Sequence, residues 1–183
     1  MRARSWLVVL VLSCTAAAPL FAESQRGGPQ LEVWKGKRRM ALYEDGAVVR
    51  EFAIVLGSEP ERRKIRQGDH RTPVGRYFIS DKKGNSRFHR FLGINYPNLD
   101  DAQRGYARGL IDARQWADVY LANVSGRGTT PATRLGGNVG IHGFGNRPYI
   151  PVDWTEGCIA VSNEDADFLY ERLPLGTPVL IHE

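Results

Sequence analysis

Cys158 is the single cysteine outside the apolar N-terminal stretch. It sits in Thr155-Glu156-Gly157-Cys158-Ile159, sixteen residues after the His142 of Ile141-His142-Gly143. A free thiol titrates near about pH 8.5, so little of it is thiolate at neutral pH. A histidine within hydrogen-bond reach can accept the proton and hold an imidazolium–thiolate pair, which makes the sulfur a nucleophile. Sixteen residues could extend over roughly 50 Å. Gly145, Asn146, Pro148 and Pro151 lie between and favour a turn, so a strand–loop–strand hairpin would bring His142 beside Cys158. Gly157, with no Cβ, permits a tight turn and close approach of a substrate carbonyl. In that geometry the N–H groups of Gly157 and Cys158 could face a developing oxyanion. Either residue alone could be inert, because cysteine commonly packs as a small buried hydrophobe and a histidine can be a satisfied core residue.

The other three histidines lie apart from this pair: His70 in a charged loop, His89 before a strand, and His182 next to the C-terminal residue. No His, Cys and acid spacing of the zinc type occurs, so no metal is expected. The formal net charge is +5; the first 22 residues carry Arg2 and Arg4 and no acid, which leaves about +3 without them. That modest excess suits an anionic surface such as a cell wall and lacks the clustered basic stripe of a nucleic-acid reader.

The length, 183 residues, fits one domain after a short leader. Arg2 and Arg4, the apolar run Trp6 to Leu12, and the small residues up to Ala22 read as a signal peptide over 1–22 cut after Ala22. The protein is therefore expected to be exported, to the periplasm or cell envelope. A membrane tether would arise only if the leader is retained or if Cys14, in Val11-Leu12-Ser13-Cys14, carries a lipid. An exported lone thiol has no disulfide partner, so it is expected either to be buried or to do chemistry.

Residues 23–30 read as a flexible segment, with the domain proper over 31–183. Strands are expected at Leu31 to Trp34, Arg39 to Tyr43, Val48 to Leu56 after an Asp45-Gly46 hairpin signal, Arg76 to Ser80, and Phe88 to Asn95, with Asp81 to Ser86 as a turn. Leu99 to Val119 could hold helices despite Gly105 and Gly109, and residues 98–127 read as an insertion near the cleft. Ser125 to Asn138 is a loop, and Val139 to Ile141 is a short strand that delivers His142 at its end. Ser162 caps a helix over Asn163 to Leu173, with Asp165 completing an acidic capping box, and Thr177 to His182 is a final strand. The pattern is mainly β with a few helices, an α+β domain.

Ile141-His142-Gly143 followed by Asp153-Trp154-Thr155-Glu156-Gly157-Cys158-Ile159-Ala160-Val161 resembles the catalytic signature of L,D-transpeptidases with the YkuD fold. Upstream, Thr72-Pro73-Val74-Gly75 is similar to that family's turn before a core strand. The resemblance implies a YkuD-like β-sandwich or barrel, peptidoglycan stem peptides as substrate, and no cofactor. It implies Cys158 as nucleophile, His142 as base, and Gly143 as the residue whose carbonyl orients that base. Gly157 falls in the oxyanion region, and Thr155 occupies a Ser/Thr position that braces the loop. Two departures stand out: Ala160 where many members carry Arg, and Glu156 where several carry His. Arg134, Arg147 or Arg87 could supply the missing cation, and Trp154 could line the cleft or pack as core. Besides cross-linking through an amine acceptor, the resemblance leaves open an L,D-carboxypeptidase that uses water and a cell-wall-binding module without turnover.

Overall fold

The computed structural model describes residues 27–126 and 133–183. The expected leader, its cut after Ala22, the Cys14 lipid site and residues 23–26 of the flexible segment lie outside the described residues. Eight strands form one curled sheet: β1 (Gln30–Trp34), β2 (Arg39–Glu44), β3 (Ala47–Ala53), β4 (Gly75–Ser86), β5 (His89–Ile94), β6 (Gly140–His142), β7 (Ile159–Ala160) and β8 (Pro178–His182). Their order across the sheet is β3-β2-β1-β8-β4-β5-β6-β7. Three helices accompany them: α1 (Leu99–Ala107), α2 (Ala113–Val124) and α3 (Asn163–Arg172).

The Asp45-Gly46 hairpin forms between β2 and β3, with φ of 49° and 77° as a type I′ turn demands. The strand expected to run on to Leu56 stops at Ala53, and the chain then peels away from β2 to the far edge of the sheet. Val55 pairs antiparallel with Ala160 of β7, with N–H to O distances of 2.9 and 2.8 Å, and Gly57 bridges Thr155. The chain leaving one edge of the sheet therefore hydrogen-bonds the other, which curls the sheet around its core and leaves few unpaired backbone groups. Inside lie Leu31, Val33, Met40, Leu42, Ile79, Leu92 and Ile141, with Leu169 of α3 packed among them.

Three expectations change. The polar run Asp81 to Ser86, read as a turn, is the second half of β4, which pairs with β5 through two irregularities. Its Lys82 ammonium donates to the Tyr170 and Leu173 carbonyls at the end of α3, so a charge that suggested a loop instead satisfies a helix C-terminus. At the start of α3, Ser162 accepts from the Asp165 N–H at 3.0 Å, but the Asp165 carboxylate takes the Ser162 hydroxyl proton rather than a backbone N–H, so the capping box is only half made. The stretch 98–126 forms α1 and α2, each opened by a complete capping box. No residue of these helices lines the cavity that holds Cys158. They support it from behind: Ala102, Ile111 and Val119 pack on Leu135, whose carbonyl also accepts from the Tyr96 hydroxyl at 3.1 Å.

Closure leaves no room at Gly57, where a Cβ would lie 2.1 Å from the His70 carbonyl oxygen. Gly57→Ala is expected to destabilise the fold by about 1–3 kcal/mol, an overpacking cost against backbone that cannot rotate away. A denaturant midpoint equal to wild type would contradict this.

Candidate active site

β6 and β7 run side by side in parallel, with Ile141 opposite Ile159 and His142 opposite Ala160. Cys158 precedes Ile159 and so stands level with Gly140, one pleat before His142. Because side chains alternate along a strand, Cys158 and His142 fall on the same face. Both line one cavity of about 790 Å³. The expected hairpin is thus a parallel pair with a long returning loop, and it does bring the two residues together.

His142 is buried, with 2% of its surface exposed. Its Nδ1–H donates to the Gly143 carbonyl at 2.7 Å, a tautomer assigned from that contact, which leaves Nε2 as the basic nitrogen. Phe88 stacks on the ring at 4.5 Å and Trp154 meets it edge-on at 5.9 Å. Desolvation holds the imidazole below its usual pKa; the Gly143 bond opposes this and the Arg87 charge adds to it.

The Gly143 carbonyl is fixed in turn by Asn163, the first residue of α3. Its Oδ1 accepts from Phe144 N–H at 2.8 Å and Gly145 N–H at 3.0 Å, and its Nδ2 donates to the Gly145 carbonyl at 2.8 Å. Sequence reasoning treated Asn163 only as a helix start. An Asn five residues after the cysteine was the available signal.

Cys158 is half-buried. Its thiol donates toward the Asn138 carbonyl at 3.6 Å, and among the described residues no hydrogen bond joins it to His142. Desolvation pushes the thiol up to about 11, against the opposing pull of the Gly140 backbone and the Lys64 charge. Burial disfavours both charged forms, so desolvation opposes the imidazolium–thiolate pair expected from the sequence.

Thr155 braces the nucleophile loop: its hydroxyl donates to the Cys158 carbonyl at 2.7 Å and accepts from the Gly157 N–H at 3.1 Å. That contact engages the Gly157 N–H inside the loop, so of the two expected oxyanion donors only the Cys158 N–H is left to face a substrate. Gly157 has φ 129°, and a Cβ there would lie 2.5 Å from the Arg71 carbonyl oxygen. Its requirement is backbone conformation and close approach. Asp153 ties the same loop to the sheet-closing segment, accepting from Leu56 N–H at 2.8 Å and from the Arg38 guanidinium at 2.6 Å.

The candidate cations separate. Arg87 and Arg147 line the cavity, Arg87 lying 4.5 Å over the Phe88 ring and Arg147 4.6 Å over Trp154. Arg134 is exposed and does not line it. Two lysines that sequence reasoning missed, Lys64 and Lys83, also reach the cavity, and Glu156 is the one acid on its wall. Trp154 does both things considered for it: it packs against Val55, Phe144 and Ala160, and it forms part of the cavity wall. Ala160 is fully buried in that cluster. Among the described residues no group of His, Cys, Asp and Glu is arranged to hold a metal ion.

The chain matches the family model of the L,D-transpeptidase catalytic domain, YkuD, over residues 29–181, and it belongs to that family. YafK of Escherichia coli (strain K12), whose own assignment as an L,D-transpeptidase is provisional, is 28% identical over 101 residues, 51% of this chain and 41% of YafK. Among solved structures, the helical cell shape determining protein Pgp2 from Campylobacter jejuni superposes with a TM-score of 0.57 at 24% identity, covering 87% of this chain and 49% of that one. Bd1075 of Bdellovibrio bacteriovorus gives 0.55 at 18%, covering 88% and 50%. At such identities the likeness shows the fold alone. This chain spans about half the length of the proteins it matches.

Asn163→Ala leaves two N–H groups without their acceptor and is expected to cost about 1–3 kcal/mol. Asn163→Asp, which keeps an acceptor for both, should cost less. Equal unfolding midpoints for the two variants would count against this account.

Proposed function

We propose that the chain is a peptidoglycan L,D-transpeptidase working in the cell envelope, with Cys158 as nucleophile and His142 as general base. The observation that carries this reading is a thiol and a singly hydrogen-bonded imidazole on one face of adjacent parallel strands, opening on one cavity. Lys83, Arg87 and Arg147 on the wall suit a substrate rich in carboxylates, as stem peptides are.

Attack begins from the neutral pair. The thiol turns from the Asn138 carbonyl to His142 Nε2, which takes its proton as sulfur bonds to the stem carbonyl carbon. The tetrahedral oxygen gains negative charge, with the Cys158 N–H as the nearest loop donor. Collapse breaks the C–N bond, and the imidazolium gives its proton to the departing D-Ala amine, leaving a thioester. A side-chain amine of a second stem then attacks, loses a proton to His142, and releases the thiol with a new amide cross-link.

Water is the competing acceptor. The half-exposed position of Cys158 lets solvent reach the thioester, which favours L,D-carboxypeptidase activity as the second reading. Incubation with purified tetrapeptide muropeptides separates the two: dimers support transfer, and tripeptide alone supports hydrolysis. Cys158→Ala is expected to abolish both products, and His142→Ala to slow them by roughly 10²–10⁴-fold. Full activity in the cysteine variant would exclude the scheme.

The pH dependence follows from His142. The base must be neutral, and its pKa lies below the ordinary 6.5. Activity should therefore hold as pH falls to 6.5 and decline only below it. Arg87→Gln removes a charge that opposes protonation, so the acid limb of kcat/KM should move upward. An acid limb above 6.5 in the wild type, or a downward move in the variant, would refute the assignment.

A further inference from the structure

Lys64 is charged, nearly enclosed and unused by the steps above. Its side chain is 4% exposed, and its ammonium donates to Asp69 Oδ1 at 2.8 Å. Asp69 also accepts from the backbone N–H groups of Ile65 at 2.6 Å, Arg66 at 3.0 Å and Arg71 at 3.2 Å, which fixes the carboxylate and through it the lysine. Desolvation pulls the Asp69 carboxyl up, but the Lys64 bond and the Arg66 and Ile65 N–H groups hold it below its usual range. Nζ also sits 5.9 Å from the centre of the Tyr96 ring.

An isolated structural ion pair would face away from the chemistry. This one lies beneath the nucleophile loop. A methyl placed on Gly157 would come within 3.4 Å of Lys64 Nζ, and Lys64 and Cys158 line the same cavity.

We propose that Lys64 is a positioning residue for the reaction, an ammonium anchored by Asp69 under Gly157 that favours the anionic form of the Cys158 sulfur as the proton leaves. The Lys64 side chain is 4% exposed, so its field is screened less than that of a charge in solvent. Lys64 is the charged side chain that draws the thiol downward, while Glu156 pushes it up. His142, Lys83, Arg87 and Arg147 are the other charged or titratable side chains around the cavity. Desolvation opposes this pull and holds the thiol up, so the ammonium's help is felt as negative charge develops on the sulfur.

This inference rests on reading Cys158 as the nucleophile, but its test needs no peptidoglycan. Full-length protein is mixed with iodoacetamide and alkaline buffer together, quenched within seconds, and the Cys158 peptide is followed by mass spectrometry, which separates it from Cys14. Wild type should bend toward a plateau near pH 11. Lys64→Met should bend at a higher pH than wild type and react several-fold more slowly at each lower pH, the smaller thiolate fraction being partly offset by the greater nucleophilicity of a more basic thiolate. Removing one partner of a buried pair can unfold a protein. Lys64→Met/Asp69→Asn removes both charges, keeps an acceptor for the Ile65 and Arg66 N–H groups though not for that of Arg71, and should show the same slowing. A bend at the wild-type pH in a folded variant overturns the proposal, whatever happens to melting temperature. So does a change in plateau rate alone, the mark of a loosened loop. Loss of muropeptide turnover in wild type would instead count against the parent reading and leave the alkylation result standing.

Discussion

The short segment from Ile54 to Gly57 holds the active site together. Leaving β3 at one edge of the sheet, it pairs with Ala160 and Thr155 at the other. It also donates its Leu56 N–H to Asp153 and its Gly57 N–H to the Thr72 hydroxyl, 2.8 and 3.1 Å away. Sheet closure and nucleophile placement are thus one set of hydrogen bonds. The loop around Cys158 is clamped on one side by this segment and on the other by the Arg71–Thr72 turn that presses on Gly157. Such over-determination lets a buried loop keep a left-handed glycine and a half-exposed thiol without collapsing onto the core.

Parts of this were legible in sequence because their signals are local. Asp45-Gly46 demands a type I′ turn, the glycine-flanked cysteine demands a tight approach, and the 3.6-residue spacing of Ala166, Leu169 and Leu173 demands a helix. The closure was not legible. Val48 to Leu56 reads as one continuous strand, and nothing within those nine residues says that the last of them pair with a segment about a hundred residues away. The second half of β4 was missed for the opposite reason. Its lysines and asparagine suit a turn, and only the carbonyl end of α3, supplied by the tertiary fold, explains Lys82.

The site divides along the same line. Cys158 and His142 stood out by residue type and spacing, and Thr155 through the resemblance of its motif. Asn163 and Lys64 did not, because each acts through geometry that no short window contains. An asparagine at a helix start and a lysine in the charged run Arg62 to Asp69 are both ordinary until the chain folds them beneath the nucleophile. The arginines were judged by composition alone, and the fold sorts them: two on the cavity wall, one outside it. The opposition of burial to an ion pair was also hidden, since a thiol and an imidazole near one another suggest one until the desolvation of both is known.

The desolvation of Cys158 bears on durability. Peroxides, disulfides and stray electrophiles consume the thiolate, not the thiol. Burial that disfavours the thiolate leaves these reagents less of it to attack, so the same packing that shapes the cavity also shelters its sulfur from ambient redox chemistry.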